Sequence, residues 1–159
     1  MTLALVRVDD RLIHGQVVVG WGQALGIKQI VLVDDRVAAP ENGWERDICR
    51  MGVPPDLTLE FVPVAQAAER VAEWEASPRR TMLVLGDLAA AVRLYQLAPR
   101  LKKLNLGGIH QAPGRRQRLP YVFMTDSEVG MLKELVQGGV EVTAQDVPTA
   151  RPVPIAELT

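Results

Sequence analysis

Leu3-Ala4-Leu5-Val6-Arg7-Val8-Asp9-Asp10-Arg11-Leu12-Ile13-His14-Gly15-Gln16-Val17 joins an apolar, strand-like run to a helix-like one. Residues 3–8 read as a strand, and residues 12–25 as a helix with Ile13, Val17, Trp21 and Ala24 at helical spacing. Two carboxylates, a guanidinium, an imidazole and a glycine therefore crowd one strand-to-helix turn. In an open parallel sheet that turn lies at the carboxyl edge, where α/β proteins bind and react with ligands. A histidine near the first helical turn meets free backbone N–H groups and the positive end of the helix dipole. That field favours neutral imidazole over imidazolium, and Arg11 pushes the same way. Neutral imidazole is a nucleophile, and the N–H groups and guanidinium suit an incoming phosphoryl group. The chemistry points to a phosphoryl-accepting histidine. Against it stands the commoner fate of a turn histidine, a hydrogen-bonded surface group, and of Asp-Asp-Arg, a cap with a local ion pair.

Outward from this stretch, strand-like and helix-like runs alternate, which predicts a βαβ architecture. Gly26 stands where a helix C-cap belongs, and Trp21 reads as core. Residues 27–33 form a near-continuous apolar strand, as one buried on both faces would, followed by Asp34-Asp35-Arg36. A helix is predicted over 41–51, broken by Pro54-Pro55. Further strands are predicted over 57–62, 81–85, 101–106, 121–124 and 140–144, with helices over 65–76, 88–97 and 125–137. Thr125 or Asp126 should cap the last helix, with Glu128 in its first turn. Residues 109–119 read as an irregular loop carrying Arg115, Arg116 and Arg118, and the tail from Pro148 as loosely packed. The expected fold is α/β: an open, mostly parallel twisted sheet of about seven strands with helices on both faces, one domain over 1–159.

Composition narrows the function. The 159 residues are 48% hydrophobic and 23% charged, ordinary for a globular chain. Lys+Arg 18 against Asp+Glu 19 leaves net charge -1, so no global field recruits nucleic acid or membrane. Cys49 is alone, which excludes an internal disulfide and suits a core thiol in a reducing compartment. The apolar run before Arg7 is too short for a signal peptide and no stretch approaches a membrane span, so a cytoplasmic protein is expected. With two histidines and no ligand cluster, neither a metal nor a cofactor is expected.

The motif Arg7-Val8-Asp9-Asp10-Arg11-Leu12-Ile13-His14-Gly15-Gln16-Val17 resembles the signature of the IIB components of the mannose/fructose/sorbose family of the bacterial sugar phosphotransferase system. A distant second match is Asn105-Leu106-Gly107-Gly108-Ile109-His110 followed by Gly114-Arg115-Arg116-Gln117, and Val31 to Ala38 resembles the family's second strand and acidic exit. Two departures, Asp35-Arg36 for the usual Asp-Glu and Ala39 to Trp44 for a more polar segment, touch the partner surface and not the chemistry.

The resemblance implies a phosphotransferase of the protein-N(π)-phosphohistidine–sugar type, working in sugar transport. His14 would take a phosphoryl group from a phosphorylated IIA protein onto Nδ1 and pass it to a sugar carried by membrane IIC/IID components. Arg11 would hold the phosphoryl oxygens, with Asp9 or Asp10 orienting Arg11 or His14. N–H groups around Gly15 and Gln16 would complete the cradle. Gly107 and Gly108 would expose further N–H groups at the same edge, with His110 as a secondary contact. Arg115, Arg116 and Arg118 would form a docking loop for the phosphorylated partner, since no aromatic residues interleave them as in a nucleic-acid site. A homo-oligomer is compatible with the sequence. Two rivals remain: a regulatory phospho-acceptor that signals to a protein partner without sugar transport, and a nucleotide-binding α/β module. The second lacks a full glycine-rich fingerprint after the first strand.

Overall fold

The structure, a computed structural model, describes residues 2–158, without the side chain of Gln16. The chain order is β1 (Leu3–Val8), a π-helical segment (Gln16–Trp21) running into α1 (Gly22–Ala24), β2 (Gln29–Val33), α2 (Asp35–Ala38), a 3-10 turn (Pro40–Asn42), α3 (Gly43–Met51), β3 (Thr58–Val62), α4 (Val64–Ala76) and β4 (Thr81–Leu85). It continues through α5 (Leu88–Leu97), β5 (Lys103–Leu106), β6 (Arg116–Leu119), β7 (Val122–Met124), α6 (Asp126–Gln137), β8 (Glu141–Ala144), β9 (Val153–Pro154) and a closing 3-10 turn (Ile155–Leu158). Strands β3-β2-β4-β1-β5-β8-β9 form one seven-stranded sheet, parallel throughout except for the β8–β9 pair.

Alternation along the central strands sorts the core into two layers. Val31, Val33, Leu83 and Leu85 point to the face covered by α4, α5 and α6, where Val71, Trp74, Leu94 and Leu132 pack. Ile30, Leu32, Met82 and Val84 point to the opposite face, covered by Val17, Val18 and Trp21 of the π-helical segment and by Cys49 of α3. Strands β2 and β4 are buried at every residue, which is why they read as apolar runs after their first residues, Gln29 and Thr81. Each fully buried Val, Leu or Ile contributes about 1.5–3 kcal/mol, so the two layers dominate the stability.

Three local expectations are corrected. The first helix does not begin at residue 12: Leu12 takes a left-handed φ of 59° and the helix opens only after His14. Asp9, Asp10, Arg11 and Leu12 form a tight turn instead, closed by Leu12 N–H donating to Asp9 O (3.0 Å). Residues 109–119 are not wholly irregular, because Arg116–Leu119 pairs with Val122–Met124 as an antiparallel hairpin. The tail is not loose either: Val153–Pro154 adds the antiparallel edge strand β9.

Register fixes the position of the functional edge. Val8 pairs with both Leu85 and Leu106, and Leu106 with Ala144, so four neighbouring strands end level. Their next residues, Asp9, Gly86, Gly107 and Gln145, therefore stand side by side. From the adjacent strands β1 and β4 the chain departs to opposite faces, the π-helical segment to one and α5 to the other. A crevice opens where exits diverge in this way.

Candidate active site

Asp9 is the hub of that edge, its side chain fully buried. Its carboxylate accepts from Arg11 Nε (2.8 Å), Arg11 Nη2 (2.6 Å), the Arg11 N–H (3.2 Å) and Arg7 Nη2 (3.2 Å). Burial pushes the carboxyl up, but the Arg11 hydrogen bond and the Arg7 and Arg11 charges outweigh it and hold Asp9 below its usual range. The same Asp9 bond pushes the Arg11 guanidinium up, against its burial. Arg11 is thus oriented by a two-toothed fork on Asp9, the geometry guanidinium and carboxylate favour. Asp10 does a separate job. It accepts the His110 backbone N–H (2.7 Å) and lies 2.6 Å from His110 Nδ1, tying the β5 exit to the β1 exit.

Beneath Asp9 lies Arg7, fully buried, a residue within the sequence motif to which no role could be given. It donates to Asn105 Oδ1, to Gln145 O (2.7 Å) and to Asp146 O (3.1 Å), and its guanidinium stacks 4.7 Å from the Trp21 ring centroid. Trp21 also donates Nε1 to Asp146 O (3.3 Å). Asp146 brings a further carboxylate, Oδ1 standing 3.7 Å from Arg11 Nη2. Gln145 and Asp146 carry no local sequence signal for this role, and Asn105, although it opens the second motif, is brought to Arg7 only by strand register.

His14 follows the turn, its carbonyl accepting from Val18 N–H (2.9 Å) as the helix starts. Ring atom Nε2 is shut off from solvent. Burial pushes the imidazole pKa below its ordinary value, Arg11 and Arg7 push further down, and Asp9 and Asp146 oppose them. The neutral imidazole is favoured, as the sequence predicts. Gly15 is exposed, with right-handed helical dihedrals and open space where a Cβ would stand, so an alanine fits there. Gln16 continues the helix backbone, while its side chain lies outside the described residues.

The glycine pair differs from expectation. Gly107 gives its N–H to Val8 O (2.6 Å), so that donor is spent on the sheet and is not free to cradle phosphate. Gly107 matters for space: a Cβ would lie 2.3 Å from Arg7 Nη2 and 2.5 Å from Asp9 Oδ2. At Gly108 a Cβ would lie 3.0 Å from Arg11 Nε, and the Gly108 carbonyl accepts the Asp10 N–H (2.9 Å).

The arginine loop is less free than its sequence implies. Arg115 forks onto Glu128 (2.9 and 3.0 Å) and donates to His110 O (2.9 Å). Arg116 and Arg118 share Asp126 (2.7 and 3.1 Å). Thr125 and Glu128 form the predicted capping box of α6, so Arg115 fastens the hairpin loop to that cap. Of the three, only Arg116 is well exposed, at 69%, against 22% for Arg115 and 13% for Arg118.

The α/β domain thus holds at its carboxyl edge a histidine whose neutral form is favoured, near an arginine that is held by a buried carboxylate. Over residues 3–159 the sequence matches the family model for the phosphotransferase-system sorbose-subfamily IIB component, and the chain belongs to that family. It is 28% identical over 149 residues to the sorbose-specific EIIB component of Lacticaseibacillus casei, covering 94% of this chain and 90% of that one. It is also 28% identical over 149 residues to the mannose-specific EIIAB component of Escherichia coli K12, of which it spans 46%, about half the length. The solved structure of the N-acetylgalactosamine-specific IIB component 1 from Escherichia coli superposes with a TM-score of 0.82 at 28% identity, covering 94% of this chain and 97% of that one. Membership makes the chain a IIB component of the sorbose subfamily of the phosphotransferase system. Among the described residues no helix is long and apolar enough to cross a membrane.

Proposed function

We propose that this chain, as a single IIB domain, accepts a phosphoryl group from a phosphorylated IIA partner on His14 Nδ1 and delivers it to a sugar bound by membrane IIC/IID components. The observation that carries the reading is the state of His14: neutral imidazole is favoured, Nε2 is buried, and Arg11 stands beside it. Because Nε2 is buried, the attack is assigned to Nδ1. In the transfer the donor's N–P bond breaks and the Nδ1–P bond forms. The donor imidazole takes up the proton that His14 gives up.

Phosphoryl transfer needs alignment and charge stabilisation more than covalent help. Arg11, fixed by Asp9, supplies a positive charge whose position is set before the donor arrives. The helix that opens after His14 presents N–H groups around Gly15 and Gln16 to the phosphoryl oxygens. Asp9, and not Asp10, orients Arg11 in this reading. His110, tied to Asp10, shapes the wall of the site. The name EIIAB joins IIA and IIB functions in one mannose-specific relative, which supports IIA as the donor.

The test is labelling by a phosphorylated IIA protein. Wild type should gain one acid-labile phosphate, and a folded His14→Ala variant none. The reading is falsified if His14→Ala labels like wild type; label lost only in His110→Ala would move the acceptor to the β5 exit.

A further inference from the structure

Asp146 sits in the loop after β8, outside the stretches quoted above for the family resemblance, yet its carboxylate reaches toward Arg11. The two arginines and the carboxylates near His14 are unequally committed. Asp9 is buried and engaged by both Arg7 and Arg11, so its charge is matched in place. Asp146 Oδ1 stands 3.7 Å from Arg11 Nη2, beyond hydrogen-bond length, and its side chain is 35% exposed. Its backbone, by contrast, is pinned. The Asp146 carbonyl accepts from Arg7 (3.1 Å) and Trp21 (3.3 Å), and the preceding Gln145 N–H donates to Leu106 O (2.9 Å). The Gln145 side chain holds the following loop through Pro148 O (3.2 Å) and Ala150 O (2.8 Å). A rigid backbone thus aims a weakly engaged negative charge at the guanidinium assigned to the phosphoryl group.

We propose that Asp146 is a positioning residue that weakens the hold of the site on the phosphoryl group, by opposing its negative charge and by drawing on the same Arg11. The inference rests on His14 as the acceptor. A carrier must release what it accepts, and the positive charge of Arg11 favours retention of the phosphoryl group. A second carboxylate beside Arg11 offsets that attraction. With the effective dielectric of a protein surface, a unit charge roughly 10 Å away shifts such an equilibrium by on the order of tenfold.

The equilibrium can be measured without an identified donor, using N-phosphoimidazole and imidazole as the exchanging pair. The N–P bond of the small molecule breaks and the His14 Nδ1–P bond forms. The released imidazole takes up the proton His14 gives up, so the exchange is balanced and reversible. Phosphorus NMR of the mixture gives the constant directly. In Asp146→Asn the constant should shift about tenfold toward phospho-His14, and Asp146→Glu should return it toward wild type. Both variants keep the backbone bonds that pin the loop; should Asp146→Asn fold poorly, Asp146→Ser serves in its place.

A second reading uses the unphosphorylated protein. The charged groups acting on His14 are Arg11, Arg7, Asp9 and Asp146, and a carboxylate stabilises imidazolium. Removing Asp146 should therefore move the His14 titration midpoint, followed by NMR, to lower pH. Equal exchange constants in wild type and a folded Asp146→Asn variant overturn the proposal, whatever the titration shows. If wild type is not phosphorylated on His14, the functional reading fails by itself. The titration then judges the field of Asp146, and an unmoved midpoint ends that claim too.

Discussion

Replacing Gly107 with alanine puts the buried ion network to its sharpest test. The added Cβ would stand 2.3 Å from Arg7 Nη2, 2.5 Å from Arg7 Cζ and 2.5 Å from Asp9 Oδ2, all far inside ordinary contact. Something must move, and the usual escape is closed. Arg7 and Asp9 are both fully buried, and Arg7 is gripped by Asn105, Gln145, Asp146 and Trp21. Overpacking a filled interior costs about 1–3 kcal/mol. Prising Arg7 from Asp9 adds part of the roughly 3–5 kcal/mol lost when a buried pair is broken. A destabilisation of about 3 kcal/mol follows, or a Tm lower by roughly 6–12 °C for a chain of this size. Gly107 does not carry a positive φ, so backbone strain contributes nothing and the effect is steric alone.

Gly108→Ala is the internal control. Its Cβ meets Arg11 Nε at 3.0 Å and Cζ at 3.3 Å, and the Arg11 side chain, 23% exposed, has room to give. It should lose under about 1 kcal/mol while displacing the guanidinium from its fork, so phosphoryl acceptance falls more than stability. Differential scanning calorimetry with denaturant unfolding measures the first quantity and timed labelling the second. A Gly107→Ala protein melting within about a degree of wild type would refute the steric reasoning.

The remaining predictions address charge. Arg11→Ala should slow labelling by on the order of a hundredfold, and Arg11→Lys should recover only part, since an ammonium cannot fork onto Asp9; wild-type rates in Arg11→Ala would remove its role. Because the His14 pKa lies below its ordinary 6.5, pushed there by burial and then Arg11, the labelling rate should stay level as pH falls through 6.5 and drop only further down. The depressed His14 value and the depressed Asp9 value act in the same sense on folding: the unfolded chain binds protons more readily, so stability holds at neutral pH and is lost on acidification. His14 contributes from about pH 6.5 downward, Asp9 only as pH falls through the normal carboxylate range near 3.8. Denaturant midpoints across pH 3–7, compared with those of His14→Ala, separate the two. Changing Arg115, Arg116 and Arg118 to glutamine should slow transfer from IIA at low salt, with added salt narrowing the gap to wild type. Since Arg115 braces the α6 cap, the triple variant should also melt earlier than Arg116→Gln alone, and equal melting would leave Arg115 without a bracing role.

What was legible in the sequence follows the reach of each signal. Strands β2 and β4 announce themselves because both faces are buried, and α6 because its capping box is local. The start of the first helix was hidden by Leu12, whose left-handed backbone no apolar pattern betrays. The hairpin of β6 and β7 escaped because Arg116 to Leu119 is a polar surface strand with little alternation to read. At the site, His14, Arg11 and Asp9 lie within one short motif and could be grouped. Asn105, Gln145 and Asp146 reach Arg7 only through the level ending of β1, β5 and β8, a long-range fact of register.

The sequence left open whether Asp9 or Asp10 orients the guanidinium, and strand geometry resolves it. Side chains two residues apart in an extended chain share a face, and adjacent ones oppose. Arg7 points to the face where Trp21 packs, so Asp9, two residues on, shares that face and meets Arg7. Asp10 is turned away toward the β5 exit and finds His110. The turn closed at Leu12 then brings Arg11 back over Asp9, which completes the fork. One pair of identical neighbours thus performs two tasks, the first holding the Arg11 guanidinium, the second joining two loops. The assignment predicts unlike outcomes. Asp9→Asn leaves Arg7 buried without its counter-charge and should cost about 3–5 kcal/mol. Asp10→Asn only weakens two bonds to an exposed histidine and should cost about 1 kcal/mol or less. Comparable losses in the two variants, measured by denaturant unfolding, would show that the carboxylates share one role.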